Sequence, residues 1–353
     1  MNGSNRVKDA IVNQLINNRA LSLLLLLVVL AAAMSLAFGG IFFAWSNLSG
    51  ILLNLVSEAI LAVGMMYLIV SGVIDLSIGA NLALGGAITG ICLKGSIIFG
   101  LVIHPQPVPV AILWGLFASS IGGLLNGLLV SRVGVNALIA TLAMSKIIGG
   151  AALYIGGSEI ADLPESFNML SQTRVFGFFM PIYYMLVIVV IAAILLAKMR
   201  YFRRFYFIGG NLRSARLSGI NVNNTLTVMF VLMGLLAGLA GVIFAARMGN
   251  ASGNTLPNIE LNVITAAIIG GGSLSGGKGN VAGAFMGVLF INVIKTSMVI
   301  AGIDIYWQPI IVGAILISAV VIDIVLQERY GASISLRKLQ SVRRRTLGRA
   351  GSA

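Results

Sequence analysis

The chain has 353 residues, of which 58% are hydrophobic and 9% charged, and its mean hydropathy is +1.02. Because a soluble domain carries about 25% charged residues, this composition excludes a soluble enzyme or binding module and indicates an integral membrane protein. The net charge of +13 would suggest nucleic acid in a soluble chain. Here the bases cluster between apolar runs, so they are interpreted as topology determinants and contacts to membrane lipid, with no nucleic-acid partner.

A spanning helix needs about 20 apolar residues, and ten apolar runs reach or approach that length. In chain order they are residues 20–38, 51–73, 82–93, 110–130, 137–155, 181–197, 226–246, 261–270, 280–300 and 307–326. The predicted fold is all-α and polytopic, with about ten transmembrane helices and short loops. The third and eighth runs are short and adjoin Gly-rich stretches. If both are re-entrant, eight full crossings remain.

Residues 198–222 form a strongly charged interruption between two apolar runs. They contain six bases and no acid: Lys198, Arg200, Arg203, Arg204, Arg213 and Arg216. Short basic loops stay on the cytoplasmic side of a membrane, so both termini are predicted to be cytoplasmic. The resulting division is a cytoplasmic segment 1–19, a transmembrane domain 20–326 and a basic cytoplasmic tail 327–353.

The second half of this loop predicts a short helix. Residues 212–217 contain no Pro or Gly, and Gly219 stands where a C-terminal stop is expected. We expect this helix to lie across the cytoplasmic face, available to a soluble partner.

Polar residues inside the crossings are candidates for function, because they are costly in lipid. Asn54, Ser57 and Glu58 share one helix face, and Lys295 is predicted at a similar depth. We therefore hypothesise a Glu58–Lys295 ion pair or a shared polar network, with Asn292 almost one turn before the lysine. The remaining candidates for a substrate pathway are Asn126, Asn136 and Thr141. Such side chains bind hydroxylated solutes, but they also join helices to one another, and Lys146 is unexplained unless it faces water.

Catalytic and metal chemistry have little support in the sequence. Cys92 is the single cysteine and His104 the single histidine, so neither a thiolate cluster nor a Ser/His pair is expected. Residues 272–279, GSLSGGKG, nearly fit a phosphate-binding loop, but Gly279 replaces the Ser or Thr that would hold magnesium. No cofactor, metal or catalytic residue is predicted.

Two Gly-rich turns show a weak internal sequence similarity. Residues 72–79, GVIDLSIG, and 270–277, GGGSLSGG, each follow an inward run and precede an outward one. Corresponding Gly-interrupted segments point to a transport pathway, although chance similarity of Gly-rich turns is an equal alternative.

Four motifs together resemble one known family. They are GVIDLSIG at 72–79, IATLAM at 139–144, GGN-x-x-x-AR-LSGI-x-V at 209–222 and GGGSLSGGKGNVAGAFMG at 270–287. This combination is similar to the permease subunit of ribose-type sugar ABC transporters, over roughly residues 44–326.

The resemblance implies a non-catalytic, ten-helix importer subunit in the bacterial inner membrane. The implied partners are a cytoplasmic ABC ATPase, a periplasmic sugar-binding protein and a second permease copy or paralogue. It also implies that residues 211–220 are the coupling helix that contacts the ATPase. The residues assigned to that contact are Asn211, Arg213, Ala215, Arg216, Leu217 and Gly219.

One departure from the family bears on that contact. The family usually has an acid and an alanine where this chain has Arg213 and Ser214, which puts the identity of the ATPase in doubt. The alternatives to a sugar permease are an ABC permease for branched-chain amino acids or nucleosides, and an ion-coupled secondary transporter. The scarcity of intramembrane carboxylates argues against ion coupling.

Overall fold

The computed structural model describes residues 19–98 and 100–321. The predicted tail 327–353 and nearly all of the predicted segment 1–19 lie outside the described residues. The long helices are α1 (Arg19–Phe38), α2 (Trp45–Val70), α4 (Val108–Leu128), α5 (Ala137–Gly156), α7 (Met180–Lys198), α10 (Val222–Met248) and α12 (Val281–Ile300). The shorter helices are α3 (Ile78–Lys94), α6 (Glu165–Gln172), α8 (Arg200–Gly210), α9 (Leu212–Leu217), α11 (Ile259–Ile269) and α13 (Trp307–Val321).

Seven of the described helices are long and apolar enough to cross a membrane, and α3, α11 and α13 are shorter apolar helices. The prediction of a polytopic all-α protein with about ten membrane helices is therefore confirmed. The largest shift in a boundary is at α2, which begins at Trp45 rather than at residue 51.

Two short helices, α3 and α11, each follow an irregular segment. α11 has 11 residues, about 16 Å at 1.5 Å per residue, which is roughly half of the hydrocarbon core. Its end lies beside the start of α12, where a Cβ on Gly270 would overlap the backbone of Gly283. α11 therefore begins about halfway along α12, after a segment in which Leu256 and Asn258 have left-handed φ angles of 48° and 62°.

The two halves of the bundle are arranged in opposite directions. α2 and α10 run antiparallel, because Arg247 near the end of α10 bonds to Asn54 near the start of α2, and Met229 near the start of α10 lies beside Ser71. α10 packs along α3 and α4, whereas α2 packs along α11 and α12. α2 therefore packs among the later helices, and α10 packs among the earlier ones.

The order of the elements favours chance as the origin of the similarity between the two Gly-rich turns. The irregular segment 71–77 lies between α2 and α3, and its counterpart between α10 and α11 is 249–258. The segment 270–280 lies instead between α11 and α12, so the resemblance of 72–79 to 270–277 does not mark equivalent positions in two repeats.

Glycine allows α3, α4 and α10 to approach closely. A Cβ on Gly123 would overlap the carbonyl oxygen of Phe230, and one on Gly241 would overlap that of Leu82. Small residues at such crossings favour association in lipid, since close backbone contact replaces a hydrophobic driving force.

Three predicted loops contain regular structure. The loop before α4 holds a hairpin of β1 (Ser96–Ile98) and β2 (Leu101–Ile103), and the loop before α7 holds α6 and a hairpin of β3 (Arg174–Val175) and β4 (Phe178–Phe179). The first half of the basic loop is the helix α8, while α9 covers the predicted residues 212–217. We call the end of the bundle that carries α8 and α9 the basic face, and the opposite end the distal face.

Candidate functional site

A polar cavity of about 540 Å³ opens at the distal face between α2, α10 and α12. Its size lies within the range of small-molecule sites, about 300–1,000 Å³. The polar side chains in its wall are Ser46, Asn47, Asn54, Ser57, Glu58, Arg247, Asn292, Lys295, Thr296 and Gln308. The sequence thus singled out five of the residues that meet here: Asn54, Ser57, Glu58, Asn292 and Lys295.

Glu58 is the centre of the hydrogen-bond network in this cavity. Lys295 Nζ lies 2.9 Å from Glu58 Oε1, and the two side chains are only 19% and 12% exposed. Asn292 Nδ2 donates to Glu58 Oε2 at 2.6 Å, and Asn262 Nδ2 donates to Oε1 at 3.1 Å. The hypothesised Glu58–Lys295 pair is confirmed, and the amide donors share in satisfying the carboxylate.

Arg247 supplies a second cation to the cavity. Its guanidinium donates to Asn54 Oδ1 at 2.7 Å and to the Leu53 carbonyl oxygen at 3.1 Å. The sequence interpretation assigned Arg247 to a loop and did not include Asn262. Arg247 instead lies in the last turn of α10, and Asn262 lies one turn into α11. Only the packing of separate helices brings Arg247 to Asn54 and Asn262 to Glu58.

A second cavity of about 460 Å³ adjoins the first between α11, α12 and α13. Lys295 and Gln308 line both cavities, and Asn262 and Thr265 line the second. Lys295 therefore borders both polar spaces, while Glu58 lines the first and its partner Asn262 lines the second.

The other three predicted pathway residues lie elsewhere. Asn126 Nδ2 donates to Ser77 Oγ at 2.7 Å in a fully buried cluster with Asp75. Asn136 caps α5 by accepting from the amide of Leu138, and Thr141 donates to the Ala137 carbonyl oxygen in the same helix. They lie outside both cavities, and their assignment to a substrate pathway stays a prediction.

The basic face presents α9 as an exposed helix. Asn211 Oδ1 accepts from the amide of Ser214 at 2.9 Å and caps its start, and Gly219 has a φ of +79° just after its end. Ala215 is buried and anchors the helix, whereas Arg213, Arg216 and Leu217 are exposed. The predicted helix is confirmed, and its outward side chains are free to contact another protein.

α8 connects α9 to the turn before α12. Tyr206 Oη donates to the Gly279 carbonyl oxygen at 2.7 Å, and burial raises the pKa of this phenol, so it stays a donor at physiological pH. The amide of Gly277 donates to the Val70 carbonyl oxygen at 2.7 Å. A Cβ on Gly209 would overlap that same oxygen, so α8, the end of α2 and the turn 270–280 meet backbone to backbone.

Among residues 19–98 and 100–321, no group of three or more His, Cys, Asp or Glu side chains is placed to hold a metal ion. The chemistry of the cavities is that of hydrogen bonding and charge. Inverted halves, helices interrupted at membrane depth and a polar cavity between the halves are typical of membrane transport proteins.

Comparison with known protein families shows which kind of transport protein this chain is. Residues 47–320 match the family described as the permease component of branched-chain amino acid transport systems, and the chain belongs to that family. It is therefore a multi-pass permease subunit, which is not itself catalytic, and membership implies an ATPase subunit and a binding protein as partners.

Several curated proteins are similar over most of their length. The ribose import permease protein RbsC of Escherichia coli is 34% identical over 86% of this chain and 92% of its own. The L-arabinose ABC transporter permease protein AraH of Azospirillum brasilense is 32% identical over 88% of each chain. The galactose/methyl galactoside import permease protein MglC of Haemophilus influenzae is 33% identical over 78% of this chain and 86% of its own. No solved structure matches the chain significantly.

Proposed function

We propose that the chain is the membrane subunit of an ATP-driven importer that moves a small sugar across the bacterial cytoplasmic membrane by alternating access. The observation that carries this proposal is its similarity of 32–34% to permeases named for ribose, arabinose and galactose. Both cavities are lined by amides, hydroxyls and charged groups, which suit a polyhydroxylated solute.

Energy for transport would enter at the basic face, which this proposal places in the cytoplasm together with both termini. A separate ATPase would contact α9 through Asn211, Arg213, Arg216 and Leu217, while Ala215 and Gly219 fix the shape of the helix. Movement of α9 reaches the turn 270–280 through α8 and Tyr206, and this turn leads directly into α12, which carries Asn292 and Lys295.

The distal cavity would then be the outward-open part of the pathway. Asn54, Glu58, Asn292 and Lys295 would contact the sugar that a periplasmic binding protein delivers. A second permease copy or paralogue would complete the transporter. The transmembrane domain would comprise residues 20–326, with 198–222 as the coupling loop.

The family description favours one alternative, a permease for branched-chain amino acids. Uptake of labelled ribose, arabinose, galactose and leucine separates the two, measured in cells that lack their own carriers and express the chain with its ATPase and binding protein. Sugar uptake that stops when the ATPase loses its phosphate-loop lysine is expected. Leucine uptake alone, or sugar uptake without the ATPase, would contradict the proposal.

A further inference from the structure

Lys146 lies at the midpoint of a membrane-spanning helix and is exposed. α5 has 20 residues and Lys146 is the tenth, so it stands about 15 Å from either end at 1.5 Å per residue. A charged side chain at such a depth does not face hydrocarbon without a large cost. The surface around Lys146 therefore borders water or another polypeptide.

Glu260 provides a counter-charge at the start of a half-length helix. It is the second residue of α11, and its Oε2 lies 2.7 Å from the position that a Cβ on Gly79 would occupy. Gly79 is itself the second residue of α3. The carboxylate thus lies against the N-terminal turns of both interrupted helices, whose partial positive charges favour an anion.

The packing of α5 brings Lys146 to the same place. The Cβ of Ala80 lies 3.8 Å from the Cβ position of Gly149, which is one turn after Lys146 on α5. Ala80 adjoins Gly79, against which the Glu260 carboxylate lies. Lys146 and Glu260 thus lie on two helices that both pack against the start of α3, at mid-membrane depth.

The chemistry of these two charged groups suits a neutral, hydroxyl-rich solute. A half-buried carboxylate accepts hydrogen bonds from hydroxyl groups, and an exposed ammonium donates them. Charge-assisted hydrogen bonds are stronger than neutral ones. Neither residue lines either of the two cavities at the distal face.

We infer that Lys146 and Glu260 form a polyol-binding site on the wall of a water-filled path, about halfway across the membrane. The second permease chain of the proposed function would form the opposite wall of this path. This inference rests on the proposed function and adds a contact point that the distal cavity does not contain.

Labelling of single cysteines tests whether the surface around Lys146 is in contact with water. Cys92 is the single native cysteine and is buried, so Cys92→Ser provides the background for Lys146→Cys. In native membranes that contain the whole transporter, we expect a charged methanethiosulfonate reagent to modify Cys at 146, and ribose, arabinose or galactose to slow the reaction.

Phe117→Cys is the matched control, because Phe117 is 57% exposed and lies near the middle of α4. We expect no modification there, as a lipid-facing thiol does not ionise. Equal labelling at 146 and 117, or none at 146, would overturn the inference. A Cys92→Ser parent that fails to take up any sugar with its ATPase and binding protein would instead contradict the proposed function.

Uptake kinetics test the role of the carboxylate. Glu260→Gln keeps the shape of the side chain and removes its charge, and we expect KM for the transported sugar to rise about tenfold or more. Glu165→Gln, which neutralises an exposed acid in α6, should leave KM unchanged. An unchanged KM in Glu260→Gln, in protein that reaches the membrane at normal levels, would refute the contact.

Discussion

Tyr206 and Gly279 are 73 residues apart and are joined by a hydrogen bond of 2.7 Å from the phenol to the carbonyl oxygen. The bond attaches α8, which leads into the exposed helix α9, to the last turn before α12. α12 in turn carries the Asn292 and Lys295 partners of Glu58. One side-chain contact therefore connects the basic face with the helix that lines both polar cavities.

Tyr206→Phe removes this bond and keeps the ring. We expect the ratio of sugar moved to ATP hydrolysed to fall, because motion of α8 no longer pulls on the turn, while the loss of stability stays near 1 kcal/mol. The measurement is uptake and hydrolysis in proteoliposomes that contain the complete transporter.

Tyr183→Phe is the control for that variant, since Tyr183 Oη also donates to a backbone carbonyl oxygen at 2.7 Å, but at Val175 on the distal face. The same loss of coupling in both variants would show that the contact with Gly279 has no special role.

Neutralising one partner of the Glu58–Lys295 pair should destabilise the protein more than neutralising both. Breaking a fully buried pair costs about 3–5 kcal/mol, and the partial exposure of these side chains lowers our expectation to about 1–3 kcal/mol. Thermal unfolding in detergent compares Lys295→Met, Glu58→Gln and the double variant. Strictly additive losses would contradict an energetic coupling between the two residues.

Two adjacent glycines provide a test of the backbone junction at the basic face. A Cβ on Gly209 would overlap the Val70 carbonyl oxygen, whereas nothing lies within 4 Å of the Cβ position of Gly210. We expect Gly209→Ala to separate α8 from α2 and lower both thermal stability and uptake. Gly210→Ala should leave both near the wild-type values, and equal effects in the two variants would argue against this junction.

The C-terminal end of α9 should be needed for coupling of transport to the ATPase, and not for insertion of the protein into the membrane. Gly219 has a φ of +79° with open space around it, so Gly219→Ala adds strain of about 1–2 kcal/mol without a steric clash. We expect each of two single variants, Gly219→Ala and Arg216→Ala, to abolish uptake while the amount of protein in the membrane stays normal. Normal uptake in both variants would remove α9 from the coupling pathway.

The sequence predicted the membrane helices well, because long apolar runs separated by polar loops leave few alternatives. It also predicted the pair of Glu58 and Lys295, since two opposite charges at membrane depth need partners. It did not predict α8, whose helical face is formed by scattered aromatic residues such as Phe205 within a run of arginines. A basic loop and a basic amphipathic helix have the same charge, so the cluster of arginines alone does not distinguish them.

The remaining omissions arise from tertiary packing. Asn262 reaches Glu58 only because α11 begins at half depth, and Arg247 reaches Asn54 only because α10 continues beyond its apolar run. The sequence around Asn262 or Arg247 does not indicate which residue each one contacts. The similarity of residues 72–79 and 270–277 was equally compatible with chance, and only the order of the packed helices favours chance.

The exchange of α2 and α10 between the halves has a consequence for biogenesis. While the ribosome is still translating α7, the early helices α3 and α4 lack the glycine-lined surface of α10 on which they pack. They can pack on each other and on α5, but the surface that α10 covers stays open until residues 222–248 emerge. Final assembly is thus a late event, and chains truncated before α10 should be cleared by membrane proteases.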